Sequence, residues 1–155
     1  MPEFTHMRGD RVHMIDITEK GEVHRVAIAS GRIYLREETL TAIRTGSVVK
    51  GNVLVTAEVA GIMAVKGTSS LIPMCHQIPI TGVDVDFSFG EGYLEVQVRV
   101  TSLGKTGVEM EALTGVSVAL LTVWDMVKSA EKDTAGQYPS TEIGEIRVLE
   151  KRKVG

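Results

Sequence analysis

Between Val83 and Val100 the sequence alternates almost without a break. Val83, Val85, Phe87 and Phe89 interleave with Asp84, Asp86 and Ser88, and after Gly90-Glu91-Gly92 the pattern resumes as Leu94, Val96, Val98 and Val100 against Glu95, Gln97 and Arg99. Successive strand residues point to opposite faces, so this predicts a hairpin, its first strand over Ile80–Phe89, with one apolar face and one wet face. A lone hairpin is not stable in water, and its apolar face has to be covered by other elements.

The cover comes from helices. Thr106 to Lys132 is predicted as the longest one, since only Gly115 interrupts good helix formers from Val108 to Lys128. Within it Leu113, Val116, Leu120, Val123, Trp124 and Val127 form one apolar stripe, while Val118, Ala119 and Leu121 make the other side apolar as well. One sheet covers only one side of such a helix, so subunits are expected to associate through the other. Upstream, Glu22 to Leu35 reads as a strand with a bulge or bend at Gly31, and Arg36 to Arg44 as a short helix stopping at Thr45-Gly46. Asn52 to Val65 spaces its apolar residues as an amphipathic helix, with Asn52 as N-cap and an end at Gly67-Thr68-Ser69-Ser70. Leu71 to Pro79 is an apolar loop whose prolines rule out a central strand, and a loop this apolar is expected to be buried or to line a site. A last strand spans Glu142 to Leu149.

Strand, helix, helix, hairpin, long helix, strand is the order of an α+β fold of the ferredoxin-like, split βαβ type. Its sheet is antiparallel with helices on one face, and an extra helix is inserted between the first helix and the central hairpin. Residues 1–12 are polar and mixed in charge and are expected to be a mobile N-terminal segment. A short extended stretch is expected at His13 to Ile17, and 13–155 form a single catalytic domain.

Composition excludes several classes. The net charge is -3, and aromatic residues make up 5% of the chain, so neither a general basic surface nor a stacking platform for nucleic acid is expected. The apolar run from Val116 to Val127 is broken by Ser117, Thr122 and Asp125 and falls short of the roughly 20 residues of a membrane span. The single cysteine, Cys75, makes no internal disulfide, and no secretory leader is evident, so a reducing, cytoplasmic setting is the simplest expectation. The histidines at 6, 13, 24 and 76 lack ligand spacing, and no metal site is expected.

Some residues can carry chemistry. Asp125 and Lys128 project from one helix face at i, i+3, which describes either a surface ion pair or, inside so apolar a stretch, a perturbed functional pair. His76, in the proline-flanked loop with Met74 and Cys75, can exchange protons near neutral pH. Cys75 reads as a packed thiol rather than a nucleophile, because no oxyanion motif accompanies it. Leu103-Gly104-Lys105-Thr106-Gly107 looks like the end of a phosphate loop but lacks the earlier glycine, Arg99 standing in its place. Glu109, Met110 and Glu111 open the long helix, where its dipole favours carboxylates. Lys50 and Lys66 flank the second helix.

These residues resemble one family closely: cyclic pyranopterin monophosphate synthase, the C-type protein of molybdenum cofactor biosynthesis. The blocks that carry the resemblance are His13 to Lys20 (HMIDITEK), Lys50 to Leu54 (KGNVL), Ala60-Gly61-Ile62, Leu71 to His76 (LIPMCH), Lys105 to Thr114 (KTGVEMEALT) and Val123 to Lys128 (VWDMVK). The resemblance implies conversion of a cyclised dihydro-GTP into cyclic pyranopterin monophosphate with release of pyrophosphate. It implies Asp125, Lys128, Lys50 and His76 as catalytic residues, and Met74, Cys75, His76, Met110, Glu111, Lys66 and Arg25 as substrate-binding ones. It further implies a homohexamer, a trimer of dimers with interfacial active sites, no resident cofactor, and magnesium at most as a companion of the substrate phosphates. The chain departs from the family pattern at Asn52, Gly67, Ser70, Gln77 and in its short tail. The competing expectation is a non-catalytic oligomeric ferredoxin-like module that binds a nucleotide or small effector and has no need of Asp125 and Lys128.

Overall fold

The computed structural model describes residues 7–9 and 11–154. The expected mobile segment falls partly outside them, at 1–6 and 10. In the remainder Met7–Arg8 (β1) pairs with Arg11–Val12 (β2) as a small antiparallel ladder. The stretch expected to be extended at 13–17 joins no sheet and instead runs across the loop that carries His76.

The main sheet has four strands: Val23–Tyr34 (β3), Ile80–Gly90 (β4), Tyr93–Gly104 (β5) and Glu142–Val154 (β6). Their order is β4-β5-β3-β6, and every neighbouring pair is antiparallel. The hairpin is therefore split from β3 in chain order but wraps back so that β5 lies beside it, the ferredoxin-like arrangement. Alternation places Leu94, Val96, Val98 and Val100 wholly in the core, opposite Ala27, Ala29 and Ile33 of β3. Each side chain of that size contributes about 1.5–3 kcal/mol when fully buried.

The helices are Glu37–Thr45 (α1), Val53–Lys66 (α2), Thr68–Leu71 (α3) and Glu109–Glu131 (α4). Asn52 caps α2 as its residue type dictates, its side chain accepting a hydrogen bond from the Val55 amide at 3.1 Å. Gly46 closes α1 with φ at 75°, a left-handed turn that glycine enters without a Cβ penalty. α3 was not expected from the sequence. It is one turn of chain tightened by the Ile72 amide donating to the Thr68 carbonyl at 2.9 Å.

Although the run from Val116 to Val127 is short, the whole of α4 is long and apolar enough, by length and composition, to cross a membrane. Half of its most apolar stretch is buried in the protein, and the helix is the centre of the core. Of its second apolar side, Ala119 is buried against α2 of the same chain, while Val118 is half-buried and Leu121 remains more than half exposed. The approach is close because two glycines face each other: a Cβ on Gly61 would lie 3.3 Å from the Gly115 carbonyl, and one on Gly115 would lie 2.8 Å from a Val65 methyl. α4 begins at Glu109 rather than 106, behind the fully buried Val108. β6 outlasts its expected end at Leu149 and runs to Val154. Its basic end, Lys151-Arg152-Lys153, pairs with Arg25, Val26 and Ala27, and a charged edge strand is well tolerated because it faces water.

Candidate active site

The residues singled out in the sequence gather in two places, one at each end of α4. At the N-terminal end the loop after α3, the start of α4 and Val12 surround a recess of about 710 Å³. Met74, Cys75, His76, Met110 and Glu111 all line it, together with Glu109. Lys66, the last residue of α2, lines an adjoining recess that shares His76 and Glu111. The apolar loop thus lines a cavity. Its position is fixed in part by His76, whose Nε2 lies 2.5 Å from the Ile15 carbonyl oxygen.

The electrostatics of this recess favour held protons. Glu111 is only 4% exposed. Burial pushes its carboxyl up from the ordinary value, and the neighbouring Glu109 charge pushes the same way. Burial, then the charges of Glu111 and Glu109, raise the Cys75 thiol too, which keeps it protonated and unreactive. Glu109 accepts from Lys151 Nζ at 3.1 Å through Oε1, while its buried Oε2 has no partner among the described residues.

A basic groove adjoins the recess at Gly107. Arg25, Lys151, Arg152 and Lys153 line it, and Arg25 is steadied by its Nε donating to the Gly104 carbonyl at 3.2 Å. The strand pairing that sets Lys153 beside Arg25 was not foreseen, since Lys151-Arg152-Lys153 read as a tail rather than as a strand. Lys105 is also nearby, donating to the Thr18 carbonyl at 3.4 Å.

The second place is near the C-terminal end of α4. Lys128 Nζ donates to Asp125 Oδ1 at 2.7 Å, as the i, i+3 spacing allows. Lys50, from the turn before α2, donates to the Asp125 main-chain carbonyl at 3.1 Å and lies 3.6 Å from Oδ2. The Lys128 hydrogen bond, then the charges of Lys128 and Lys50, hold the Asp125 carboxyl below its usual range. Lys128 is raised in return, chiefly by Asp125. The pair is exposed, Asp125 by 60%, and beside it lies an open depression walled by Leu121, Trp124 and Ile143.

Lys50, Asp125 and Lys128 therefore meet, but His76 does not join them. Glu111 and Asp125 lie fourteen residues apart on α4, roughly 21 Å along its axis. Among the described residues no three His, Cys, Asp or Glu side chains converge to hold a metal ion.

A model of the MoaC family matches residues 14–154, which takes in both clusters. The chain belongs to the MoaC family. It is 65% identical over 153 residues to a probable cyclic pyranopterin monophosphate synthase of Methanosphaerula palustris, covering 99% of each chain. The protein of the same name from Methanosarcina mazei is 64% identical over 150 residues, 97% of this chain and 96% of that one. The Pyrococcus furiosus counterpart is 58% identical over 151 residues, 97% of each.

Proposed function

We propose that this MoaC-family protein is a cyclic pyranopterin monophosphate synthase of molybdenum cofactor biosynthesis, converting cyclised dihydro-GTP to cyclic pyranopterin monophosphate with release of pyrophosphate. The observation that carries the chemistry is the convergence of Lys50 on the Asp125–Lys128 pair from a distant part of the chain. A rearrangement of a purine-derived ring with an internal phosphoryl transfer needs proton donors and acceptors at the ring and fixed cations at the phosphates. In the free protein Asp125 is ionised and occupied by two ammonium groups. A polyanionic substrate competes for those ammonium groups, which frees the carboxylate to accept a proton and leaves Lys128 as a proton donor. His76 and Glu111 act as the auxiliary acid and base groups, and Met74, Cys75 and Met110 shape the recess around them. Lys66 and Arg25, the latter with Lys151 and Lys153, hold phosphates. Magnesium enters only as a companion of those phosphates.

Assembly belongs to the same proposal. A proton-transferring group works within about 3 Å of the atom it serves. Asp125 and His76 of one chain are too far apart to serve one ring, so a second subunit brings its recess to the first subunit's lysine–aspartate cluster. A trimer of such dimers is the assembly we expect. A reducing, cytoplasmic location is supported by the free thiol of Cys75. The test is to incubate the purified protein with cyclised dihydro-GTP and follow pyrophosphate and the pterin product. Stoichiometric appearance of both is expected. Intact substrate after prolonged incubation with folded protein would sink the reading.

A further inference from the structure

Asp125 and Lys128 lie on open surface, where an ion pair is weakened by water. Beside them lies an open depression of about 410 Å³ with an apolar wall, Trp124 with Leu121 and Ile143. A volume of that order falls within the range of small-molecule sites, roughly 300–1,000 Å³. Trp124 is braced in turn: its ring packs on Tyr138 with centroids 5.1 Å apart and planes tilted by 59°.

Tyr138 sits on the segment between α4 and β6, and that segment is pinned at both ends. At the near end Asp133 Oδ1 accepts from the amides of Ala135 and Gln137, each at 2.9 Å. The Asp133 amide donates to the Gln137 carbonyl at 2.9 Å, and Gly136, at φ 77°, turns the chain between them. At the far end Thr141 donates to Oε1 of the buried Glu131 at 2.7 Å. The other oxygen of Glu131 accepts from the Arg36 amide at 3.2 Å and from the Thr39 hydroxyl. Such a segment presents Tyr138 in one place.

We propose that Trp124 is the stacking wall for the planar ring of the substrate, with Tyr138 as the positioning residue that holds it beside Asp125 and Lys128. This rests on the function proposed above and adds the place of the ring. A stacked heterocycle covers the open side of the ion pair, excludes water from it and aligns ring atoms with the carboxylate. The triphosphate end is then left to the lysines.

The chain has one tryptophan, so emission excited at wavelengths that tyrosine does not absorb reports on this wall alone. Titrating the full-length protein with GTP should quench that emission saturably, whereas inorganic triphosphate should compete with GTP and restore emission while causing no quenching itself. In turnover, Tyr138→Phe keeps the bracing ring and should keep kcat/KM within about threefold, while Tyr138→Ala should raise KM by roughly tenfold or more with a smaller change in kcat, the pattern of lost stacking. Unaltered KM in Tyr138→Ala, or GTP binding seen by calorimetry without quenching, overturns the wall. Emission that changes on dilution of the protein and not with GTP also overturns it, because the depression is then filled by a second copy of the chain. If the protein fails to turn over cyclised dihydro-GTP, the proposed function fails, and the quenching experiment still decides the wall.

Discussion

Asp125 and Lys128 show how two residues one helical turn apart can hold each other charged: the pair lowers the carboxyl, raises the amine and keeps both ionised across the neutral range. Exposed pairs contribute little to folding. Asp125→Asn and Lys128→Ala are therefore expected to leave melting temperature nearly unchanged while turnover, read as pyrophosphate release, falls by about a hundredfold or more. Groups acting as a unit are not additive, so the double variant should be scarcely worse than the poorer single one. Near-normal turnover in either single variant would remove the pair from the mechanism. Glu111 is the opposite case. Its carboxyl is raised by burial, so the folded state binds that proton more tightly than the unfolded chain. The cost of ionising it is absent below the ordinary carboxylate range and grows as pH rises from the unfolded value to the folded one. Glu111→Gln removes that cost, and thermal melts should show the variant gaining on the parent at neutral pH and losing that advantage near about pH 4. A variant less stable than the parent by the same margin at every pH would contradict this.

Between elements, the contact of α2 with α4 depends on what Gly61 and Gly115 lack. Alanine is the better helix former by about 1 kcal/mol, so on propensity alone Gly115→Ala should stabilise. The added Cβ would stand 2.8 Å from a methyl of Val65 and 3.2 Å from one of Val98, both stiff and buried. Overpacking of that kind costs about 1–3 kcal/mol, so a net loss in chemical denaturation is expected. A gain would mean that α2 can move away freely. The same contact shows where the sequence is legible. The hairpin alternation, the Asn52 cap and the Asp125–Lys128 spacing involve neighbours in the chain, and each stands in the structure where its pattern puts it. The packing of α2 on α4 involves glycines far apart in sequence, which periodicity alone does not pair. Lys50 beside Asp125 and the basic end of β6 beside Arg25 are likewise tertiary pairings that carry no local signal. The turn at Asp133 is local, but the seating of Tyr138 against Trp124 is again a tertiary pairing.

For the whole molecule, one chain leaves its chemistry divided and part of its apolar surface bare. One stripe of exposed apolar residues lies on α2: Val55, Val59 and Met63 stand one turn apart in a row and are all more than half exposed, as is Leu121 of α4. On our proposal a second copy joins the two halves of the site, and a symmetric dimer does so twice; the same association would give such a stripe a partner. Light scattering at micromolar concentration is expected to give a multiple of the 16.8 kDa chain, a hexamer on our proposal. Mass alone does not show that a site is shared, but mixing does. Asp125→Asn damages the lysine–aspartate half and His76→Ala the recess half, and each alone should be nearly inactive. If every site takes Asp125 from one subunit and His76 from its partner, unfolding the two variants together and refolding them should rebuild intact sites in mixed dimers. Random pairing of equal amounts makes half the dimers mixed, and each mixed dimer has one undamaged site of two, so roughly a quarter of the parent activity should return. If both halves belong to one chain, no pairing restores a site and the mixture stays as inactive as its components.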